Sequence, residues 1–430
     1  MKYILHFLLL FVVSSTISQN KKAILKDWTA YSQTINVSKF EGAEFKVSAY
    51  LKNGKVNSKG KSALWVRVDK NDNTTGFFRN DAYDKSKKVT NEWKKFEIVG
   101  KIDSSAQTLT FGAFCQGNGD FYFDNFQFQI KETSGKWKLI KLENGSFEKN
   151  RANDSWFEGI RKNKIVNVQQ FNIIYTKETS SDGKTALQIT GKNIIGNNEN
   201  GKYVNVNNVD LYYEIYGEGE PLLLLHGNGQ SISAFMNQID FFSKRFKVIL
   251  VDCRGRGNSS FDYNKELTYT LEANDISLFL EKIGIKKTHI FGWSDGGIIG
   301  LIMAMKYPEK VNKLIAMGAN INPQGLKDLD GMFNTIKELE KGNDGKNDLF
   351  ISLYKLMAYY PKLNYDDLKV IKAKTLIMAG DRDVIKNVHT IKMYEAIKGA
   401  QLAILPNETH YFPEENPSFF NELVLKFLSE

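Results

Sequence analysis

Only two cysteines occur in the 430 residues, Cys115 and Cys253. So few exclude a disulfide-stapled scaffold and cannot by themselves build a metal site. They fall in different predicted units, so neither unit can close a bridge of its own, and both read as small buried residues. Beyond the N-terminal segment no apolar run approaches the roughly 20 residues that a spanning helix needs, so the mature chain is expected to have no transmembrane segment. Charge of one sign is not gathered either. The net charge is +9, but the lysines that supply most of it are scattered. No motif concentrates them, so a nucleic-acid partner is not expected. Hydrophobic residues at 42% and charged residues at 25% exclude disorder, collagen and coiled coil as the main architecture. The length calls for more than one core.

The chain opens like an export signal. Lys2 supplies a positive start, residues 4–13 form a short apolar core interrupted only by His6, and Thr16 and Ser18 stand three and one residues before a cut ahead of Gln19. No cysteine follows that core, which argues against a lipoprotein. The expectation is removal of residues 1–18 and a periplasmic or secreted protein.

Residues 19–192 read as antiparallel β-structure. Short runs at 45–51, 63–68, 96–99, 109–114 and 121–130 are separated by turn clusters such as Asn53-Gly54 and Gly117-Asn118-Gly119-Asp120. Trp93, Phe96-Glu97-Ile98, Phe111-Gly112-Ala113 and Phe121-Tyr122-Phe123-Asp124-Asn125-Phe126 resemble the closing strands of jelly-roll modules similar to carbohydrate-binding modules. Leu142-Glu143-Asn144-Gly145-Ser146-Phe147-Glu148, Trp156 and Gly183-Lys184-Thr185-Ala186-Leu187-Gln188-Ile189 resemble the opening strands of such a module. With opening strands after closing ones, residues 138–191 either complete one permuted sandwich, the reading preferred, or form a separate small unit. The resemblance implies glycan as a partner through aromatics such as Trp28, Trp65, Trp93 or Trp137, although aromatics at this spacing more often form core. Asp69 to Asn73 looks like a calcium loop but lacks the sixth-position glycine and the twelfth-position glutamate, so a turn is expected.

Residues 193–201, rich in Asn and Gly, read as a linker. From residue 202 strands alternate with helical periodicity, the pattern of a mostly parallel sheet covered on both faces. An opening hairpin at 204–207 and 211–216 is followed by apolar runs at 222–225, 248–251, 289–291, 314–317 and 375–378. Residues 322–368 break the alternation with a helical insert.

Chemistry concentrates in four loops. Gly292-Trp293-Ser294-Asp295-Gly296-Gly297 joins a predicted strand to a predicted helix, the setting of a nucleophile elbow whose glycines avoid clashes around an exposed serine hydroxyl. His226-Gly227-Asn228-Gly229 follows an apolar strand. Gly380-Asp381-Arg382-Asp383-Val384 and Asn407-Glu408-Thr409-His410-Tyr411-Phe412-Pro413 follow two later strands. A fifth stretch, Asp252-Cys253-Arg254-Gly255-Arg256-Gly257-Asn258-Ser259, supports the fold rather than the chemistry. Together they resemble the α/β-hydrolase family over residues 202–430. That resemblance implies Ser294 as nucleophile, His410 as base and Asp383 as acid, with Asp381 as the alternative acid. It further implies an oxyanion hole made by the backbone N–H groups of Asn228 and Asp295, a structural His226, and a lid formed by the insert.

Gly292-Trp293-Ser294-Asp295-Gly296-Gly297-Ile298, Lys306-Tyr307-Pro308 and Gly318-Ala319-Asn320 look most like the biphenyl hydrolase-like group, which cleaves esters of α-amino acids. By that resemblance Asp295 would also bind a substrate ammonium group; it could equally cap its helix. The insert is shorter than that group's lid and differs in sequence. The expected function is hydrolysis of a carboxylic ester, an α-amino acid ester among the options, or of a small amide. Proline iminopeptidase-like cleavage and a glycan-binding protein with an inert hydrolase half remain alternatives. No metal or organic cofactor is implied.

Overall fold

The computed structural model describes residues 23–430 apart from 57–59, 73, 85, 150, 152–154, 161–166, 193, 195–200 and 342–347. The expected export signal and all but two residues of the expected linker lie outside the described residues, as does Asn73 of the Asp69 to Asn73 loop.

The N-terminal half contains β1 (Ala23–Ile24), β2 (Trp28–Asn36), β3 (Glu44–Val56), β4 (Lys61–Lys70), β5 (Thr75–Asn80), β6 (Lys94–Lys101), β7 (Ala106–Gln116), β8 (Gly119–Lys131) and β9 (Trp137–Ile140). β10 (Phe157–Glu158), β11 (Asn167–Val168), β12 (Phe171–Thr176) and β13 (Ala186–Gly191) complete it. One antiparallel sheet runs β10-β2-β7-β4-β5 and a second runs β12-β13-β8-β3-β6, with β9 alongside β8. Of the strands beyond residue 138, β10 joins the first sheet and β12 and β13 join the second, while β11 pairs in parallel with β1 apart from both. Period-two alternation explains the core between them: Phe45, Val47, Ala49 and Leu51 of β3 meet Leu64, Val66, Leu109 and Phe111 of the other sheet.

β2 carries little apolar signal because its buried polar groups, on both faces of the strand, are satisfied by distant backbone. Ser32 donates to the Gly159 carbonyl at 2.7 Å, and the Gln33 amide donates to the Glu143 carbonyl at 2.8 Å. Trp65, offered by the sequence as a glycan-stacking aromatic, is instead 2% exposed in a small cluster with Ala30, Ala63 and Phe114 and cannot meet a sugar from solvent. Trp28, Trp93 and Trp137 are half-buried; Trp28 stacks on Phe114, and the Trp93 indole N–H donates to Thr179. At the calcium-like loop, Thr74 donates to the Asp72 carboxylate through both its backbone N–H and its hydroxyl, the bonding of a turn. Among the described residues no group of three or more His, Cys, Asp or Glu could hold a metal.

The second half contains β14 (Lys202–Val206), β15 (Val209–Tyr216), β16 (Glu220–Leu225), α1 (Met236–Phe242), β17 (Phe246–Val251), α2 (Tyr269–Lys282), β18 (Thr288–Trp293), α3 (Asp295–Lys306) and β19 (Val311–Met317). It continues through α4 (Leu329–Glu340), α5 (Asp348–Tyr359), β20 (Lys374–Arg382), α6 (Asn387–Ala396), β21 (Gln401–Thr409), α7 (Phe412–Glu415) and α8 (Pro417–Ser429). The sheet order is β14-β15-β17-β16-β18-β19-β20-β21. β14 and β15 form a hairpin whose turn residues Asn207 and Asn208 take φ of 48° and 63°, a conformation asparagine tolerates. β15 is antiparallel to β17, and every pair from β17 to β21 is parallel. Both sheet faces are covered, so the central strands are apolar throughout. Leu223, Ile249 and Ile290 face α2 and α3, while Leu222, Leu224, Val248 and Phe291 face α1 and α8.

The insert carries α4 and α5. Its root is tied to the loop after β20: Lys327 N–H donates to the Val384 carbonyl and Lys386 N–H to the Gly325 carbonyl, at 2.9 and 2.8 Å. No helix among the described residues is long and apolar enough to cross a membrane. The two halves meet where Met236 of α1 enters the N-terminal core and Lys26 pairs with Glu414 of α7 at 3.4 Å.

Candidate active site

A tight turn joins β18 to α3. Ser294 adopts φ 56° and ψ −118°, costly for a residue with a side chain. Its neighbours explain how the turn persists. A Cβ on Gly292 would stand 2.1 Å from the Gly296 carbonyl oxygen, and one on Gly296 would stand 1.9 Å from the Leu225 carbonyl oxygen. Ser294 N–H donates to the Met317 carbonyl at 2.7 Å, and the Ser294 carbonyl accepts from Gly297 at 2.8 Å. Strand β16 thus presses directly on the first turn of α3, and its exit loop comes against the serine. A Cβ on Gly227 would lie 3.1 Å from Ser294 Cβ.

His226 at the head of that loop is fully buried. Its Nε2 accepts from Cys253 N–H at 3.0 Å, so the ring proton sits on Nδ1, which donates to the Gly227 carbonyl at 2.8 Å. Burial, aided by the Arg256 charge, pushes its pKa down to about 3. A histidine depressed in the folded state lends stability that is complete above the unfolded value of about 6.5 and is lost as pH falls toward the folded value. Between pH 6.5 and 5 that loss is about 2 kcal/mol. Denaturant unfolding at both pH values should show it as the difference in pH slope between wild type and His226→Gln; equal slopes would show that His226 is not held neutral.

Two loops at the carboxyl ends of β20 and β21 supply an acid and an imidazole. His410 Nδ1 donates to Asp383 Oδ1 at 2.7 Å, and the same oxygen accepts from Ile385 N–H at 3.0 Å. Asp383 is 1% exposed. A carboxylate that accepts from both leaves His410 Nε2 as the basic nitrogen. The ring lies on the Gly318 backbone, where a Cβ would stand 2.8 Å from His410 Nδ1. The Trp293 indole N–H donates to the His410 carbonyl at 2.9 Å, which pins the imidazole loop to the residue before the serine. Asp381, the alternative acid, is not the carboxylate bonded to His410, and its buried Oδ1 has no hydrogen-bond partner among the described residues. The Trp293 indole and the Gly318 backbone thus link the strained serine turn to the His410–Asp383 pair, and serine, imidazole and carboxylate are the residue types that acyl transfer uses.

Asp295 sits below this surface, 2% exposed. Its Oδ1 accepts from the Tyr269 hydroxyl at 2.7 Å and its Oδ2 from the Asn228 amide at 2.9 Å. Burial raises its pKa, and the charge of Arg256 with the two hydrogen bonds pulls it back. Arg256 is itself buried and paired with Glu272, and Arg254 holds Asp275 through two bonds of 2.6 and 2.9 Å. Sequence reading treated the Arg-Gly-Arg loop as scaffold and passed over Tyr269 and Glu272. The available signal was their spacing, since Tyr269, Glu272 and Asp275 recur every third residue and so share one face of α2, opposite two arginines.

The family described as the alpha/beta hydrolase fold matches residues 220–349. The serine hydrolase BPHL of Mus musculus is 30% identical over 251 residues, which are 52% of this chain and 85% of that protein. This chain belongs to the α/β-hydrolase fold family. A putative carbamate hydrolase RutD from Azorhizobium caulinodans is 26% identical, over 53% of this chain and 98% of its own length. Among solved structures, a hydrolase from Pseudomonas aeruginosa PA01 covers 54% of this chain and 100% of its own, at 20% identity and a TM-score of 0.48. The chain is therefore an α/β-hydrolase enzyme, and its matched segment contains the elbow and the loop after β16. Asp383 and His410 lie beyond that segment and are brought together by the fold.

Proposed function

We propose that this α/β-hydrolase cleaves small carboxylic esters through an acyl-enzyme on Ser294, and that it does so outside the cytoplasm. The observation that carries the chemistry is the buried 2.7 Å bond from His410 to Asp383, tied through the Trp293 indole to the strained turn that bears Ser294. His410 Nε2 takes the proton of the Ser294 hydroxyl as its oxygen attacks the ester carbonyl. The carbonyl oxygen becomes an oxyanion and accepts from the backbone N–H groups of Asn228 and Asp295. Collapse breaks the bond to the alcohol, which leaves with the proton from His410. Water, deprotonated by His410, then attacks the acyl carbon, and Ser294 recovers its proton as the acid departs. A small amide would follow the same route with an amine as leaving group.

The similarity to serine hydrolase BPHL supports the hydrolase reading. The acyl group is read as neutral, because the Asp295 carboxylate, which a substrate ammonium group would meet, already has both oxygens hydrogen-bonded. A fluorophosphonate probe should label the protein at Ser294, and acetyl and butyryl aryl esters should be turned over. No label and no turnover would overturn the reading. Export rests on the N-terminal pattern: expressed in a Gram-negative host, the chain should appear in the periplasm starting at Gln19, and a cytoplasmic chain retaining Met1 would refute that.

A further inference from the structure

The carboxylate of Asp295 is where the geometry points beyond the triad. Three observations meet on it. It is buried rather than open to a substrate. Both oxygens are hydrogen-bonded, Oδ1 accepting from the Tyr269 hydroxyl at 2.7 Å and Oδ2 from the Asn228 side-chain amide at 2.9 Å. The same Asn228 amide nitrogen also donates to the Leu353 carbonyl of α5 at 3.1 Å.

We propose that Asp295 is a positioning residue whose buried carboxylate holds the Asn228 loop, and through it helix α5, in register with the elbow, rather than a contact for a substrate ammonium group. The logic is geometric, and it rests on the serine-hydrolase reading above. The two backbone N–H groups assigned to the oxyanion belong to Asn228 and Asp295. They come from separate loops, and an oxyanion is stabilised only when both donors stand at hydrogen-bond distance from one point. Gly227 against Ser294 brings the loops together on one side. The side chain of one donor residue grips the side chain of the other on the opposite side. Tyr269 braces that carboxylate from α2, and the charge of Arg256, itself buried and tied to Glu272, offsets part of the cost of burying it.

The two roles separate kinetically. A substrate contact acts on one class of ester and appears in KM. A misplaced donor acts on every ester and appears in kcat, because the oxyanion exists only in the transition state. The experiment compares the mature wild-type protein with Asp295→Ala, Asp295→Asn and Tyr269→Phe on p-nitrophenyl butyrate and on the p-nitrophenyl ester of alanine, with thermal melting recorded for each. Asp295→Ala is expected to lower kcat for both esters by the same factor, about 10- to 100-fold, somewhat less than complete removal of an oxyanion donor. KM should stay within about twofold. Tyr269→Phe, the milder change if Asp295→Ala folds poorly, should lower kcat for both esters about 3- to 10-fold. Adding it to Asp295→Ala should cost nothing further, since the brace no longer has anything to hold. Inhibition by phenylboronic acid, whose tetrahedral adduct on Ser294 places an oxygen in the hole, should weaken in step with kcat. A loss confined to the alanine ester and expressed in KM would overturn the proposal in favour of a substrate contact. Lower melting temperatures with unchanged kcat for folded protein would overturn it in favour of a purely structural network. A wild type that turns over neither ester and leaves Ser294 unlabelled would overturn the hydrolase reading and this proposal with it.

Discussion

Ser294→Ala is expected to reduce ester turnover by about 10⁴-fold or more and to abolish fluorophosphonate labelling, with the melting temperature unchanged. The size of the loss follows from what remains. Without the hydroxyl no acyl-enzyme forms, and water must attack unaided by a nucleophile held beside His410. The donors of the oxyanion hole persist, so a residual rate above the uncatalysed one should survive. The fold should not notice the change. Alanine has the same backbone strain as serine at φ 56°, and the bonds that hold the turn are made by the Ser294 backbone. The measurement is a burst-phase assay with an aryl ester alongside thermal unfolding. Full activity in the variant would remove the nucleophile assignment, and a large drop in melting temperature would show that the hydroxyl serves the structure.

The largest loss of stability is expected from Gly296→Ala. By propensity alone the change should help, since alanine exceeds glycine by about 1 kcal/mol within a helix. Position overrides propensity here. The added Cβ would stand 1.9 Å from the Leu225 oxygen, 2.4 Å from its carbonyl carbon and 2.8 Å from its Cβ. These atoms belong to β16, a central strand bonded on both sides to β17 and β18, which cannot yield as a flexible side-chain tip would. Either α3 lifts off the sheet or β16 shifts, and a cost above about 3 kcal/mol is expected. Gly300→Ala is the matched control. Its Cβ would meet the Leu314 Cδ1 methyl at 2.7 Å, a side-chain end that can rotate away, so a change within about 1 kcal/mol is expected. Denaturant midpoints of the two variants decide the matter, and equal midpoints would show that the elbow does not press on β16.

What was legible in the sequence was whatever backbone geometry forces onto residue type. The elbow demands small residues at 292 and 296, so its glycines announce it. The parallel strands are covered on both faces, so they appear as unbroken apolar runs at 222–225 and 248–251. His410 stood out because four of the five histidines had other places, and the fold brings it to Asp383 rather than to Asp381. What was not legible was held by polar groups whose partners are far away in sequence. Strand β2 reads as a hydrophilic stretch because Ser32 and Gln33 find acceptors at Gly159 and Glu143. The pairing of Arg256 with Glu272 was not legible, since the two lie 16 residues apart on a loop and a helix and only the fold brings them together. Trp65 misled in the opposite sense, because an aromatic on the outer face of a sheet does not reveal that Ala30, Ala63 and Phe114 close around it.

The two cysteines have a practical meaning. Cys115 lies in the core between the two N-terminal sheets and Cys253 in the core of the parallel sheet, both buried and both free. Burial raises both thiol pKa values, so neither is a nucleophile while its own core is intact. Each half of the molecule therefore carries one silent thiol that reacts only when that half opens. The protein contains its own pair of unfolding reporters, one for each core, readable by alkylation and mass without adding a label. With no disulfide between them, the choice of an oxidising or a reducing compartment does not alter the cross-linking of the folded chain.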